Sequence, residues 1–216
     1  MSEEYDVEDW WPSGSPFEVM VGAVLTQQTV WETVSKVLDE MRERGLMDVG
    51  ALANADGDLE RVIRPTGFYN QKAKHLRGMS RHILDRYEGD AMAMLMQDTD
   101  AARWELLSLG GIGKETADSI LLFAGGRPKF VAASYVSRVL SRTGTFSSLA
   151  YDDVQRFVES KLPRSPGAYR EFYALCVQHC KSVCRTVPGC DECPLSDHCP
   201  YPLRRAGRAR SRRSRL

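Results

Sequence analysis

The chain is predicted to be all-α. Apolar residues recur at helical spacing along most of its 216 residues, no stretch alternates in the manner of a strand, and a glycine turn joins two of the helical runs. That turn lies in Leu106-Leu107-Ser108-Leu109-Gly110-Gly111-Ile112-Gly113-Lys114-Glu115-Thr116-Ala117. Apolar residues before Gly110 end one helix, and Ala117, Ile120, Leu121 and Ala124 repeat at i, i+3, i+4 and i+7 in the next. Gly111 and Gly113 are expected to use backbone angles closed to other residues. The new helix then begins with amides that have no intrahelical partner, which makes an anion site suited to a backbone phosphate.

The other elements follow in order. Residues 1–14 are acidic and aromatic, with Trp10-Trp11-Pro12 standing out. Ser15-Pro16-Phe17-Glu18 forms a capping box, with Ser15 as N-cap and Pro16 at the first helical position. The helix from Pro16 to about Thr26 is apolar over much of its surface and should be buried. Leu25-Thr26-Gln27-Gln28-Thr29 closes it, and a second helix runs from Trp31 to about Glu43. Short helices near Val49 to Ala53 and Leu59 to Ile63 lead to a Pro/Gly loop, after which Lys72 to Tyr87 is helical. Asp100 to Leu109 is the first helix of the hairpin; beyond it, helices are expected at Ser134 to Ser141, Tyr151 to Lys161 and Ala168 to Lys181. A waist near Gly125 to Lys129 divides the chain. The expected domains are a six-helix lobe over residues 15–126, a second lobe of residues 1–14 with 127–202, and a disordered basic tail, 203–216.

That tail holds seven arginines and no acid, so a formal net charge of zero conceals +7 at the C-terminus against −7 elsewhere. Nucleic-acid contact is the expected use of such a tail. No apolar run is long enough for a membrane span, and the acidic start lacks the basic opening of a secretion signal, which points to a cytoplasmic protein. All six cysteines fall between 176 and 199. Cys184, Cys190, Cys193 and Cys199 form a Cys-x5-Cys-x2-Cys-x5-Cys array that can wrap one zinc ion or one iron-sulfur cluster. Cys176 and Cys180, one helical turn apart, are expected to be small core residues.

Together, the glycine hairpin, the Pro/Gly loop and the four cysteines resemble the helix-hairpin-helix DNA glycosylases of the endonuclease III type over about residues 11 to 202. Leu25-Thr26-Gln27-Gln28-Thr29 and Arg64-Pro65-Thr66-Gly67-Phe68-Tyr69-Asn70-Gln71-Lys72-Ala73-Lys74 look most like the 3-methyladenine DNA glycosylase III branch, which removes alkylated purines. The resemblance implies two helical lobes flanking a DNA-binding cleft, a flipped damaged base, and a monomer acting on double-stranded DNA. It puts the amides around Gly111 and Gly113 on the phosphate backbone, with Lys114 as a nearby charge. Gln28 falls where a side chain fills the gap left by the flipped base, and Phe68 where a second wedges into the opposite strand. Trp11 and Trp31 fall at the two positions that sandwich the base, because an electron-poor alkylated purine is attracted to aromatic faces. The array of Cys184, Cys190, Cys193 and Cys199 is assigned to a [4Fe-4S] cluster, although relatives usually have six residues rather than five between the first two cysteines.

Two departures bear on chemistry. Strand-cleaving members carry a lysine directly before Thr-Ala of the hairpin helix; here that residue is Glu115, which cannot form an imine, so the implied enzyme is monofunctional and uses water. The family's essential aspartate maps onto Ala133. Without a carboxylate to stabilise an oxocarbenium-like transition state and orient water, this sequence is expected to be inactive or very slow. Ala133 is read as an engineered replacement of that aspartate, with a naturally inactive, non-catalytic DNA-binding paralogue as the second reading. A uracil or thymine mismatch glycosylase is the alternative within the class.

Overall fold

The computed structural model describes residues 1–7 and 14–202, and among these all regular structure is helical. The chain forms two compact units, Trp11–Lys129 and Met1–Trp10 with Phe130–Leu216. Trp10, Trp11 and the arginine tail lie outside the described residues.

The first unit is built around α1 (Pro16–Leu25). Its start is the expected capping box: Glu18 N donates to Ser15 Oγ at 3.2 Å, and Ser15 N donates to the Glu18 carboxylate at 2.8 Å. Met20, Val21, Val24 and Leu25 have no accessible surface, so nearly every face of α1 is packed. Each such side chain contributes about 1.5 to 3 kcal/mol. Around α1 lie α2 (Trp31–Glu43), α5 (Tyr69–Tyr87), α6 (Ala91–Leu95) and α8 (Lys114–Ser119), which continues into a π-helical turn, Ile120–Ala124. The short α3 (Val49–Ala53) lies along α5, with α4 (Gly57–Ile63) beside it.

Two helices differ most from the sequence expectation. Helix α5 begins at Tyr69, three residues early, because Phe68 adopts a left-handed conformation (φ 48°) that turns the chain sharply into the helix. Helix α6 has no counterpart in the sequence expectation; it is set by the Asp90 carboxylate accepting from Met92 N and Ala93 N.

Helix α7 (Thr99–Ser108) is fixed to α5 through Glu105. Its carboxylate accepts from Tyr87 Oη at 2.6 Å and Gln97 Nε2 at 2.7 Å, and lies 2.6 Å from His82 Nε2. Burial pushes the Glu105 pKa up, and these hydrogen bonds more than offset it, leaving the carboxyl below its ordinary value.

The second unit contains α9 (Ser134–Thr143), α10 (Tyr151–Lys161) and α11 (Pro166–Ser182), with α9 packed on α11. Phe130, fully buried, meets Tyr169 edge-on at 5.7 Å. Its backbone is held from α10, where Gln155 Nε2 donates to Phe130 O at 2.6 Å and Phe130 N donates to Glu159 Oε1 at 2.9 Å. Among the described residues no helix is long and apolar enough to cross a membrane.

Candidate nucleic-acid interface and cysteine site

In the first unit, α7 and α8 form the hairpin. Arg103 of α7 donates from Nε (2.6 Å) and Nη2 (3.1 Å) to the fully buried Asp118 of α8, clamping the two helices together. Ile112, 6% exposed, turns inward and anchors the loop. Gly111 has φ +80°, and a Cβ there would fall on the imidazole of His75. Glycine is therefore required at 111 for two separate reasons. Gly113 corrects the expectation: its φ of −89° and ψ of 178° are ordinary extended backbone, and a Cβ would meet nothing within 4 Å. The intrahelical series starts with Ala117 N donating to Gly113 O at 2.8 Å, so the amides before it open the helix, beside the exposed Lys114 and Glu115.

Two loops are tied to this hairpin or to each other. Gln27 Nε2 donates to Gly111 O at 2.9 Å and to Thr116 Oγ1 at 3.0 Å. The next residue, Gln28, is exposed and left-handed (φ 55°). Phe68, 63% exposed, is left-handed as well. The described residues include three non-glycine positions with positive φ, and two of them are the side chains the family resemblance singles out for insertion into DNA. Such conformations cost about 1 to 3 kcal/mol each and persist where surrounding structure enforces them.

Lys72 lies between the two loops. Buried at 3% exposure, its ammonium donates to Leu25 O (2.8 Å), Thr29 Oγ1 (2.9 Å) and Thr66 O (2.8 Å). The Thr29 hydroxyl in turn lies 2.5 Å from Thr66 O. Sequence reasoning missed Lys72, Gln27 and His75; a lysine on the buried face of α5 was the available signal. Trp31 is half-buried and packs against the core, with its ring over Gly22.

In the second unit, Ala133 is the N-cap of α9, 2% exposed and without a side-chain cap. Its carbonyl accepts from Val136 N at 2.9 Å. At the other end of α9, Arg142 grips the cysteine loop: Nη1 donates to Arg185 O (2.7 Å), Cys184 O (3.2 Å) and Cys184 Sγ (3.2 Å), and its guanidinium lies 4.6 Å from the centre of the Tyr201 ring.

Cys184, Cys190, Cys193 and Cys199 line one cavity together with Arg142 and His179. His179, 1% exposed, has Nε2 3.7 Å from Cys193 Sγ and Nδ1 3.1 Å from Tyr5 Oη. Hydrogen bonds from the Cys180 thiol, His179 and Arg142 draw the Cys184 pKa down against its burial. Thiolate is the form that binds metal. Among the described residues no three ligand side chains are grouped closely enough for a single metal ion. These four cysteines are the residues that could hold a metal ion or an iron-sulfur cluster. Cys176 and Cys180 are buried, as core residues would be.

Residues 21–164 match the family described as HhH-GPD superfamily base excision DNA repair proteins. The chain belongs to that family. A Methanocaldococcus jannaschii protein named as a DNA repair glycosylase is 42% identical over 198 residues, 90% of each chain. A thymine-DNA glycosylase of Aeropyrum pernix is 29% identical, over 89% of this chain and 85% of that one. Among solved structures, the Helicobacter pylori 3-methyladenine DNA glycosylase MagIII bound to 1,N6-ethenoadenine is 30% identical with a TM-score of 0.71, covering 80% of this chain and 87% of that one. An endonuclease III trapped on DNA shares the fold, with a TM-score of 0.78 at 23% identity over 93% and 91% of the two chains. The chain is thus a base-excision DNA glycosylase of the endonuclease III superfamily by family.

Proposed function

We propose that the chain is built as a monofunctional glycosylase that hydrolyses the N-glycosidic bond of an alkylated purine flipped from duplex DNA, and that Ala133 leaves it inactive or very slow. What supports the grip on DNA is the pair of exposed, left-handed side chains, Gln28 and Phe68, on loops fastened beside the hairpin. In this reading the hairpin amides around Gly111 and Gly113 and the Lys114 ammonium hold a backbone phosphate, Gln28 fills the vacated stack, and Phe68 enters the opposite strand. Trp11 and Trp31 sandwich the base. Glu115 cannot form a Schiff base, so water is the nucleophile and the strand stays intact. A carboxylate at 133 would stabilise the positive charge developing on the sugar.

The second part of the reading is that Cys184, Cys190, Cys193 and Cys199 hold a [4Fe-4S] cluster. When bound, the cluster cross-links the loop after α11, while Arg142 and His179 orient the ligands. The protein acts as a monomer.

The experiment is single-turnover excision by the Ala133→Asp variant on duplexes containing 3-methyladenine, 1,N6-ethenoadenine, or a uracil or thymine mismatch. Release of alkylated adenine without strand incision is expected, with the unsubstituted chain close to background. Excision of the mismatched pyrimidines alone would overturn the alkylpurine assignment. Equal rates from both proteins would overturn the assignment of position 133.

A further inference from the structure

Lys72 is an unusual group to bury. Its three N–H donors are all satisfied, yet every acceptor is a neutral oxygen, so no anion in the set compensates its charge. An ammonium in such a place is a costly way to fill space, because an apolar side chain packs there without desolvation. Its acceptors show what it connects. Leu25 O ends α1 three residues before Gln28, and Thr29 Oγ1 comes one residue after it; Thr66 O lies two residues before Phe68. The Lys72 amide also donates to Phe68 O at 3.0 Å, closing the first turn of α5. The helix terminus at Leu25 adds a favourable dipole for the cation.

We propose that Lys72 is a positioning residue that locks the Gln28 loop to the Phe68 loop, presenting the two side chains to DNA as a fixed pair. Thr29 is the second half of the lock, since its hydroxyl accepts from Lys72 while reaching Thr66 O. Inserting two side chains from loose loops would cost ordering free energy on every encounter, and the lock removes that cost before DNA arrives. The inference rests on the reading that Gln28 and Phe68 enter the duplex.

The test uses the full chain on two duplexes that contain no damaged base, so the DNA stays intact during equilibrium measurements. Affinity is measured by fluorescence anisotropy for an undamaged duplex and for one with a tetrahydrofuran abasic analogue, with 2-aminopurine beside the gap reporting insertion. Lys72→Met and the isosteric Thr29→Val should lower the preference for the gapped duplex by about ten-fold, the factor that ordering one or two side chains represents. Affinity for the undamaged duplex should stay within about two-fold on the same reasoning, and Thr29→Ser should retain the preference. Gln28→Ala and Phe68→Ala test the underlying reading. If they leave the preference intact, the reading fails and the inference with it. If they reduce it while Thr29→Val does not, the lock alone is refuted, and Thr29→Val decides in this way even where Lys72→Met does not fold. Equal losses on both duplexes would also refute the proposal, because they indicate general damage to the unit.

Discussion

Gly111→Ala should be among the most destabilising single-methyl additions in the first unit. A left-handed backbone at φ +80° costs an L-residue about 1 to 2 kcal/mol. The added methyl also lands on the His75 ring, and overpacking of that kind costs about 1 to 3 kcal/mol. The total is roughly 2 to 5 kcal/mol. Gly113→Ala provides the contrast. Its backbone is extended and its surroundings are open, so the change should stay within about 1 kcal/mol, the difference between glycine and alanine as an N-cap. Urea unfolding followed by the fluorescence of Trp31 and Trp104, which report on this unit, measures both. A double-mutant cycle separates the two terms: in a His75→Ala background the methyl loses its clash, and Gly111→Ala should fall to the backbone term of about 1 to 2 kcal/mol. Equal costs at 111 and 113, or no relief from removing His75, would refute the reasoning.

Three further outcomes are expected. Protein carrying the cluster should be brown with thiolate-to-iron absorption in the visible; Cys190→Ser or Cys193→Ser should lower iron content, whereas Cys176→Ser and Cys180→Ser should not. For Glu105, a folded pKa below the ordinary 4.5 means that its stabilising contribution is fully present above that pH and is lost as pH falls through the folded value. Glu105→Gln should therefore cost about 1 to 3 kcal/mol at neutral pH, with the gap to the parent shrinking in acid, as urea titrations across pH would show. Trp11→Ala or Trp31→Ala, placed in Ala133→Asp, should each cost about 1 to 3 kcal/mol of base stacking, read as slower excision of alkylated adenine with undamaged-duplex affinity unchanged.

The parts of the fold legible in the sequence are those set by local chemistry. Ser15 and Glu18 are three residues apart, and their reciprocal bonds follow from that spacing alone. The buried face of Ala117, Ile120, Leu121 and Ala124 is equally local, although the chain closes it with a π-helical turn. What stayed hidden depends on distant partners. Gly111 and Gly113 look alike in sequence; the left-handed backbone at 111 and the His75 ring, carried on α5, distinguish the one that must be glycine. Lys72 reads as one more polar helix residue because two of its three acceptors are 47 and 43 residues away. The cysteine spacing announces a ligand set, but not the Arg142 guanidinium that reaches it from α9.

Position 133 carries an alanine where the proposed mechanism uses a carboxylate. An N-cap alanine forgoes about 0.5 to 2 kcal/mol relative to aspartate, and nothing on its own side chain compensates α9 for that loss. Yet the approach to it is elaborately held, with Phe130 buried against Tyr169 and bonded on both backbone groups by Gln155 and Glu159. Gln155 and Glu159 thereby satisfy the buried backbone groups of Phe130, three residues before 133. Under the proposed function they also steady the run into 133, where a carboxylate facing a developing cation depends on a preorganised charge. A helix N-terminus also keeps such a carboxylate ionised, the state the reaction requires.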